Sequence, residues 1–218
     1  MGVRTAALAA AIFALVFSPS ASAADMSRGH FKKASLEAKI QYCGECHGWS
    51  GQGYRGYYPI PRLAGQQAQY LENQFKALVD HRRDNPVAKR FMVPVAETVR
   101  PETTTALAEY FSTLQAKPAG GGPKDLAGEG KRIFDEGVPA ANVPACAACH
   151  GADAKGTDTV PRLAGQMYAY TLAQLSNWAK GYRAKDPVSG EENTMKPIAS
   201  SMTKEQMEAV AAYVSRLD

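Results

Sequence analysis

No apolar run of membrane-spanning length occurs anywhere after residue 23, so nothing beyond the first residues reads as a transmembrane helix. No segment sustains a polar–apolar alternation of period two, and a β-sheet is therefore not supported. Lys and Arg are nowhere interleaved with aromatics in a basic run, and the formal net charge is only +4, which argues against a nucleic-acid partner. Asp and Glu show no paired arrangement of the kind that acid–base catalysis uses. Cysteine is scarce too, with four in 218 residues. Sheet proteins, nucleic-acid binders and carboxylate enzymes are thus set aside before any motif is read.

What is present begins at the N-terminus. Arg4 gives a positive start, an apolar run extends from Ala6 to Phe17, and small residues occupy 18–23. This is the pattern of a secretory leader cleaved after Ala23 by the A-x-A rule, and the run is too short to cross a bilayer of roughly 30 Å. An uncleaved anchor is the alternative. Residues 1–23 are read as a signal peptide, and the mature chain is expected in the periplasm, with at most a peripheral association with the membrane. Arg4 is the only charged residue removed, so the net charge falls from +4 to +3.

The remainder is written twice. Cys43, Cys46 and His47 recur as Cys146, Cys149 and His150, a shift of 103. Pro61-Arg62-Leu63-Ala64-Gly65-Gln66 recurs letter for letter as Pro161-Arg162-Leu163-Ala164-Gly165-Gln166, with Tyr70 matched by Tyr170, at a shift of 100. Met92 and Ala96 recur as Met195 and Ala199, again at 103. Residues 117–124, rich in Gly and Pro, read as a linker between a first domain at 24–116 and a second at 125–218. Both copies read as helical: Leu71, Phe75 and Leu78 match Leu172, Leu175 and Trp178 at three- and four-residue steps. The last segment repeats the pattern, with Leu107, Tyr110, Phe111 and Leu114 against Met207, Val210, Val214 and Leu217. Pro101 suits the first turn of the earlier helix, and Thr203 with Gln206 forms a capping-box pair for the later one. The expected fold class is all-α.

All four cysteines lie in Cys-x-x-Cys pairs, each followed at once by His. This is the signature of covalent haem attachment: the two thiols add across the haem vinyl groups, and the adjacent histidine points at the iron. One zinc ion held by all four cysteines is a poor alternative, because ribbon sites bring together pairs about 15–20 residues apart. A thioredoxin-like dithiol needs a βαβ setting and leaves the doubled histidine unexplained. Two haem c groups are therefore expected, on Cys43, Cys46, Cys146 and Cys149, and they would fill the core that two domains of this size lack on their own. Their propionates would bring the basic chain closer to neutral. His47 and His150 are the first iron ligands. Met92 and Met195, each 45 residues after its histidine, are the only methionines that repeat in register and are the candidate sixth ligands. A thioether raises the reduction potential, and an iron with two protein ligands has no open position for substrate, which points to electron transfer. His30 and His81 have no partner in the repeat and read as surface or linker residues.

The doubled Cys-x-x-Cys-His, the doubled Pro-Arg-Leu-Ala-Gly-Gln and the late methionine with alanine four residues on make the chain resemble the di-haem cytochrome c4 family. The resemblance spans nearly all of the mature chain. It implies two tandem cytochrome c-like domains, each wrapped around one covalently bound haem c. It implies that Pro61 and Pro161 supply the carbonyls that orient His47 and His150, with Pro59 as a rival in the first copy. Arg62 and Arg162 become candidates to contact haem propionates, a solvated arginine being the other reading. A cytochrome bc complex as donor and a terminal oxidase as acceptor are the implied partners. A di-haem subunit of a periplasmic dehydrogenase, such as flavocytochrome c sulfide dehydrogenase, would share the fold and ligands, whereas a di-haem peroxidase would need an open iron. The longer run at 135–145 has no assigned role, and Trp49, Tyr54, Tyr57 and Tyr58 have no counterparts in the second copy.

Overall fold

The computed structural model describes residues 1–2, 35–183 and 193–218. The expected leader, apart from its first two residues, lies outside the described residues, as do Met26 and His30. The chain divides into two compact units, Met1–Ser35 and Leu36–Asp218, and both copies of the repeat lie in the second.

The described residues are all-α, with only isolated bridges such as Tyr54–Ile60 and Thr157–Val160 in the loops. In the first copy the described part of α1 covers residues 35–47 and carries the first Cys-x-x-Cys-His at its C-terminal end. It is followed by α2 (Ala68–Val79), a π-helical turn (Ala88–Met92) that runs into α3 (Val93–Ala96), and α4 (Pro101–Thr113). In the second copy α5 (Ala127–Glu136) and α6 (Ala147–His150) stand in the place of α1, and α7 (Tyr168–Ala179), α8 (Met195–Ser200) and α9 (Lys204–Val214) follow.

The apolar stripes explain how these helices pack. Leu107 and Phe111 are buried on α4, Leu78 of α2 is buried against Ala88, Val93 and Ala96, and Leu175, Trp178, Met207, Val210 and Val214 are buried where α7 meets α9. Pro101 occupies the first position of α4, where its missing N–H costs nothing. Thr203 and Gln206 form the capping box of α9: the Thr203 hydroxyl accepts from the Gln206 backbone N–H at 3.2 Å, and the Gln206 side-chain Oε1 accepts from the Thr203 N–H at 2.8 Å.

The run at 135–145 is where the copies diverge most in shape. Gly137 ends α5 with a φ of 75°, and a Cβ there would lie 2.3 Å from the Val143 carbonyl oxygen. The turn around Pro139–Ala141 then brings Val143 back against Val138, and Val143 is buried in the core of the second copy. The segment thus supplies a core residue.

The linker is fastened down. Ala119 N–H donates to the Gly165 carbonyl at 3.1 Å and Gly120 N–H to the Ser215 carbonyl at 2.6 Å, while Arg216 donates to the carbonyls of Gly121 and Gly122 at 2.9 and 3.0 Å. Glycine is needed at 122, where φ is 69° and a Cβ would lie 2.4 Å from the Tyr168 ring.

Helices α5 and α9 approach most closely at Gly130, where a Cβ would sit 2.0 Å from the Ala209 carbonyl oxygen. Backbone cannot retreat as a flexible side chain can, so Gly130→Ala forces the helices apart. The variant is expected to lose about 1–3 kcal/mol of stability despite alanine's better helix propensity, read as a lowered midpoint in denaturant.

Candidate haem sites

Each site is built on a helix end and the loop after it. Cys43 and Cys46 lie three residues apart on α1, with His47 directly after them; Cys146, Cys149 and His150 repeat this at α6. No disulfide joins the four cysteines. Before haem is attached, burial pushes the Cys43 thiol up and the Cys146 thiol up to about 11.

Both histidines are buried, and each ring is fixed by one hydrogen bond. His47 Nδ1 donates to the Pro61 carbonyl at 2.9 Å and His150 Nδ1 to the Pro161 carbonyl at 3.0 Å. A proton committed at Nδ1 leaves the Nε2 lone pair free for a metal. Burial lowers the pKa of both imidazoles against the opposing pull of the proline carbonyls, and the charge of Arg83 lowers His47 further. Neutral imidazole is the form that binds iron.

The loops that deliver the prolines match bond for bond. Gly53 N–H donates to the His47 carbonyl at 2.7 Å, and Gly156 N–H donates to that of His150 at 2.9 Å. Leu63 and Ala64 both donate to the Gly51 carbonyl, as Leu163 and Ala164 do to that of Ala154. Gly53 and Gly156 have φ of 78° and 66°, and a Cβ on either would come within 2.4 Å of the returning strand's carbonyl at residue 60 or 160. Each copy needs glycine at this position to close the loop under its histidine.

Met92 ends the π-helical turn and Met195 begins α8; both are half-buried. Each is followed two residues on by proline, Pro94 or Pro197, and four residues on by an alanine with no exposed surface, Ala96 or Ala199. Met92 packs on Leu78, Val93 and Ala96, and Met195 joins the cluster that includes Cys146 and Ala147.

The repeated Pro-Arg-Leu-Ala-Gly-Gln segments also face each other. The side-chain amide of Gln66 accepts from Arg162 N–H at 2.8 Å and donates to the Arg162 carbonyl at 3.0 Å. Gln166 does the same to Arg62, at 3.0 Å in both directions. The Arg62 side chain crosses the seam to donate to the Gly165 carbonyl, whereas Arg162 bonds within its own copy, to the Ala164 carbonyl at 3.0 Å. Burial and the neighbouring charges of Arg162 and Arg55 pull the Arg62 pKa down to about 10.

A second crossed pair lies beside the first. Arg83 donates to Tyr170 at 2.6 Å, and Arg183 donates to Tyr70 at 3.2 Å. Gln74 and Gln174 each accept from both arginines. The Arg183 guanidinium also lies 4.0 Å from the centre of the Trp178 ring. Burial alone would raise the Tyr70 pKa, but the two guanidinium charges outweigh it and lower it. Among the described residues neither arginine is paired with a carboxylate, and Arg83 Nε has no partner. Two cations gathered among neutral acceptors, several kcal/mol dearer per ion than in water, call for an anion. Haem propionates have that chemistry, so the residues present fit the group that the cysteine motifs imply. Sequence reasoning missed Gln66, Gln166, Arg83 and Arg183; the one signal was that the six-letter repeat extended beyond the positions a ligand role explains.

Comparison with known proteins agrees with this geometry. The family model for cytochrome c matches residues 37–115 and again 127–218. The chain is 42% identical over 177 residues to cytochrome c-552 of Acidithiobacillus ferridurans, covering 80% of this chain and 73% of that protein. It is 38% identical over 187 residues to the thiosulfate dehydrogenase electron acceptor of Thiomonas intermedia strain K12, covering 84% and 81%. The solved structure of Acidithiobacillus ferrooxidans cytochrome c4 matches with a TM-score of 0.70 at 40% identity, over 80% of this chain and 98% of that one. The chain belongs to the cytochrome c family, and carries two domains of it in tandem. Within that family it is a di-haem carrier of the cytochrome c4 type: it binds two haem c groups covalently through its two motifs, and its partners are redox proteins. It moves electrons and is not an enzyme.

The amide clasps set a measurable difference. Gln166→Ala strands the N–H and carbonyl of buried Arg62, whereas Gln66→Ala strands those of the more exposed Arg162. Each is expected to cost about 1–3 kcal/mol in denaturant titration of the holoprotein, with Gln166→Ala the larger loss.

Proposed function

We propose that the chain is an exported, periplasmic electron shuttle whose two haem irons are each held between a histidine and a methionine, His47 with Met92 and His150 with Met195. The observation that carries this reading is the doubled register: each methionine lies 45 residues after its histidine, in the same Met-x-Pro-x-Ala setting. The haem iron, when bound, supplies a one-electron change between the ferrous and ferric states. The chain's own residues do the rest. Pro61 and Pro161 hold the imidazole protons at Nδ1 and aim Nε2 inward, and the thioethers of Met92 and Met195 favour the ferrous state as soft ligands. Four protein bonds per pocket, two thioethers and two ligands, keep each group in place without an open position for substrate. The anion-seeking cluster favours Arg83 and Arg183 as the propionate partners over Arg62, whose guanidinium is engaged at Gly165.

Among the described residues no helix is long and apolar enough to cross a membrane. A cytochrome bc complex as donor and a terminal oxidase as acceptor follow from the family resemblance. A dehydrogenase as donor is the second reading, and the relative named as a thiosulfate dehydrogenase electron acceptor favours it. In either case the same two pockets carry the electrons.

Replacing Met92 or Met195 with Ala is expected to change the visible spectrum of one haem and lower its potential on the order of a hundred millivolts or more, within the ~0.8 V that axial ligands command. An unchanged spectrum and potential would refute the ligand assignment. Haem analysis of the exported protein should give two groups per chain, and its intact mass should place the mature N-terminus at Ala24.

A further inference from the structure

The two haem-bearing loops share a backbone but not a surface. In the first copy residues 48–67 hold Trp49, Tyr54, Tyr57 and Tyr58 together with Arg55 and Arg62, and contain no Asp or Glu. The matching residues 151–167 hold Asp153 and Asp158 against Lys155 and Arg162, and contain no aromatic residue. The methionine side of the first copy continues the trend: residues 85–96 contain Lys89, Arg90 and Phe91 and no acid.

Tyr57, Tyr58, Phe91 and Arg90 meet on one face. The Tyr57 and Tyr58 rings contact edge to face at 4.8 Å, Tyr58 lies 5.3 Å from the Phe91 ring, and the Arg90 guanidinium lies 5.3 Å from that same ring. Tyr57 is 92% exposed, and Arg55, Phe91 and Arg90 are also exposed. Phe91 is joined directly to Met92, so the patch abuts the backbone of the candidate ligand. Lys89 is neutralised by Asp84 at 2.7 Å, and the Arg55 guanidinium is turned to the linker beside Gly120, which leaves Arg90 as the cation against the aromatics.

Water does not stabilise such a row of aromatic side chains at the surface, and among the described residues none covers Tyr57. Tyr and Arg are the residues that concentrate binding energy at protein interfaces, and transient redox complexes are small enough for a few of them to suffice. Cations at the rim attract an acidic partner and set its orientation as it approaches.

We propose that the face formed by Tyr57, Tyr58, Phe91 and Arg90 is the docking surface for a redox protein with an acidic surface, and that this partner exchanges its electron with the first copy's haem. The second copy, with aspartates in the corresponding loop and no aromatics, does not take that partner. The proposal rests on the electron-carrier reading above. One electron leaves the reduced partner and one ferric iron becomes ferrous, with no proton or bond change.

The test uses the di-haem holoprotein and, as acidic probe, reduced plant-type two-iron ferredoxin, with haem reduction followed by stopped-flow absorbance. The wild-type rate constant should fall as salt rises. Arg90→Glu should slow the reaction about threefold or more at low salt and weaken the salt dependence. Tyr57→Ser should slow it at high salt, where charges are screened. Lys155→Glu, the same charge change on the second copy's loop, should leave it at the wild-type rate. If Arg90→Glu keeps the wild-type rate and salt slope, or Lys155→Glu slows the reaction as much, the docking proposal fails. Reduction by dithionite is the separate check: two haems reduced per chain in every variant upholds the carrier reading, and fewer in the wild type overturns that reading instead.

Discussion

Six residues written twice do two jobs at once. The carbonyl of Pro61 or Pro161 holds a histidine ring by its Nδ1, and the next residue's backbone is clasped by a glutamine from the opposite copy. Because the glutamine that clasps is itself the sixth residue of the same segment, each copy both gives and receives. The orientation of either imidazole, the proposed iron ligand of its copy, is thus built into the joint between the domains. A change that loosens the joint reaches the histidines through one peptide unit, between residues 61 and 62 or between 161 and 162. This accounts for a letter-for-letter repeat where the loops on either side differ in length and composition.

Electrostatics adds a second requirement at the same place. Arg83 and Arg183 each reach across to a tyrosine of the other copy and share Gln74 and Gln174. Neutral acceptors satisfy much of their hydrogen-bonding capacity but none of their charge, so the seam attracts anions. Haem propionates in this position would neutralise the cluster, and the charge state of the seam would then respond to both haem groups. Arg83 pulls the His47 pKa down, whereas burial and the Pro161 hydrogen bond set the balance at His150, which makes the two pockets electrostatically unequal.

That inequality continues outward. The internal scaffolds agree down to the positive φ of Gly53 and Gly156 and the buried alanines at 96 and 199. The surfaces over them differ, aromatic and free of acids in the first copy, charge-balanced and free of aromatics in the second. Duplication of a pocket whose interior is constrained by one macrocycle leaves the exterior free to diverge, and divergent exteriors would allow the two haems to serve different partners.

Much of this was legible in the linear sequence. Cysteine spacing with an adjacent histidine defines the attachment, because the chemistry needs those atoms within one helical turn, and helical periodicity located α2, α4, α7 and α9 through their core stripes. Those signals are local. The role of residues 135–145 was not legible, since Val143 reaches the core only through a turn that brings it back on Val138. Nor was the fastening of the glycine-rich linker, whose composition permits a loose chain or a tied one. The crossed pairs were hidden for the same reason: Gln66 and Arg162 are 96 residues apart, and Arg183 and Tyr70 are 113. Sequence by itself determined the chemistry of each pocket, which short-range spacing encodes. Only tertiary structure decided how the pockets are joined, because hydrogen bonds and charge across a seam depend on which distant surfaces the fold brings together.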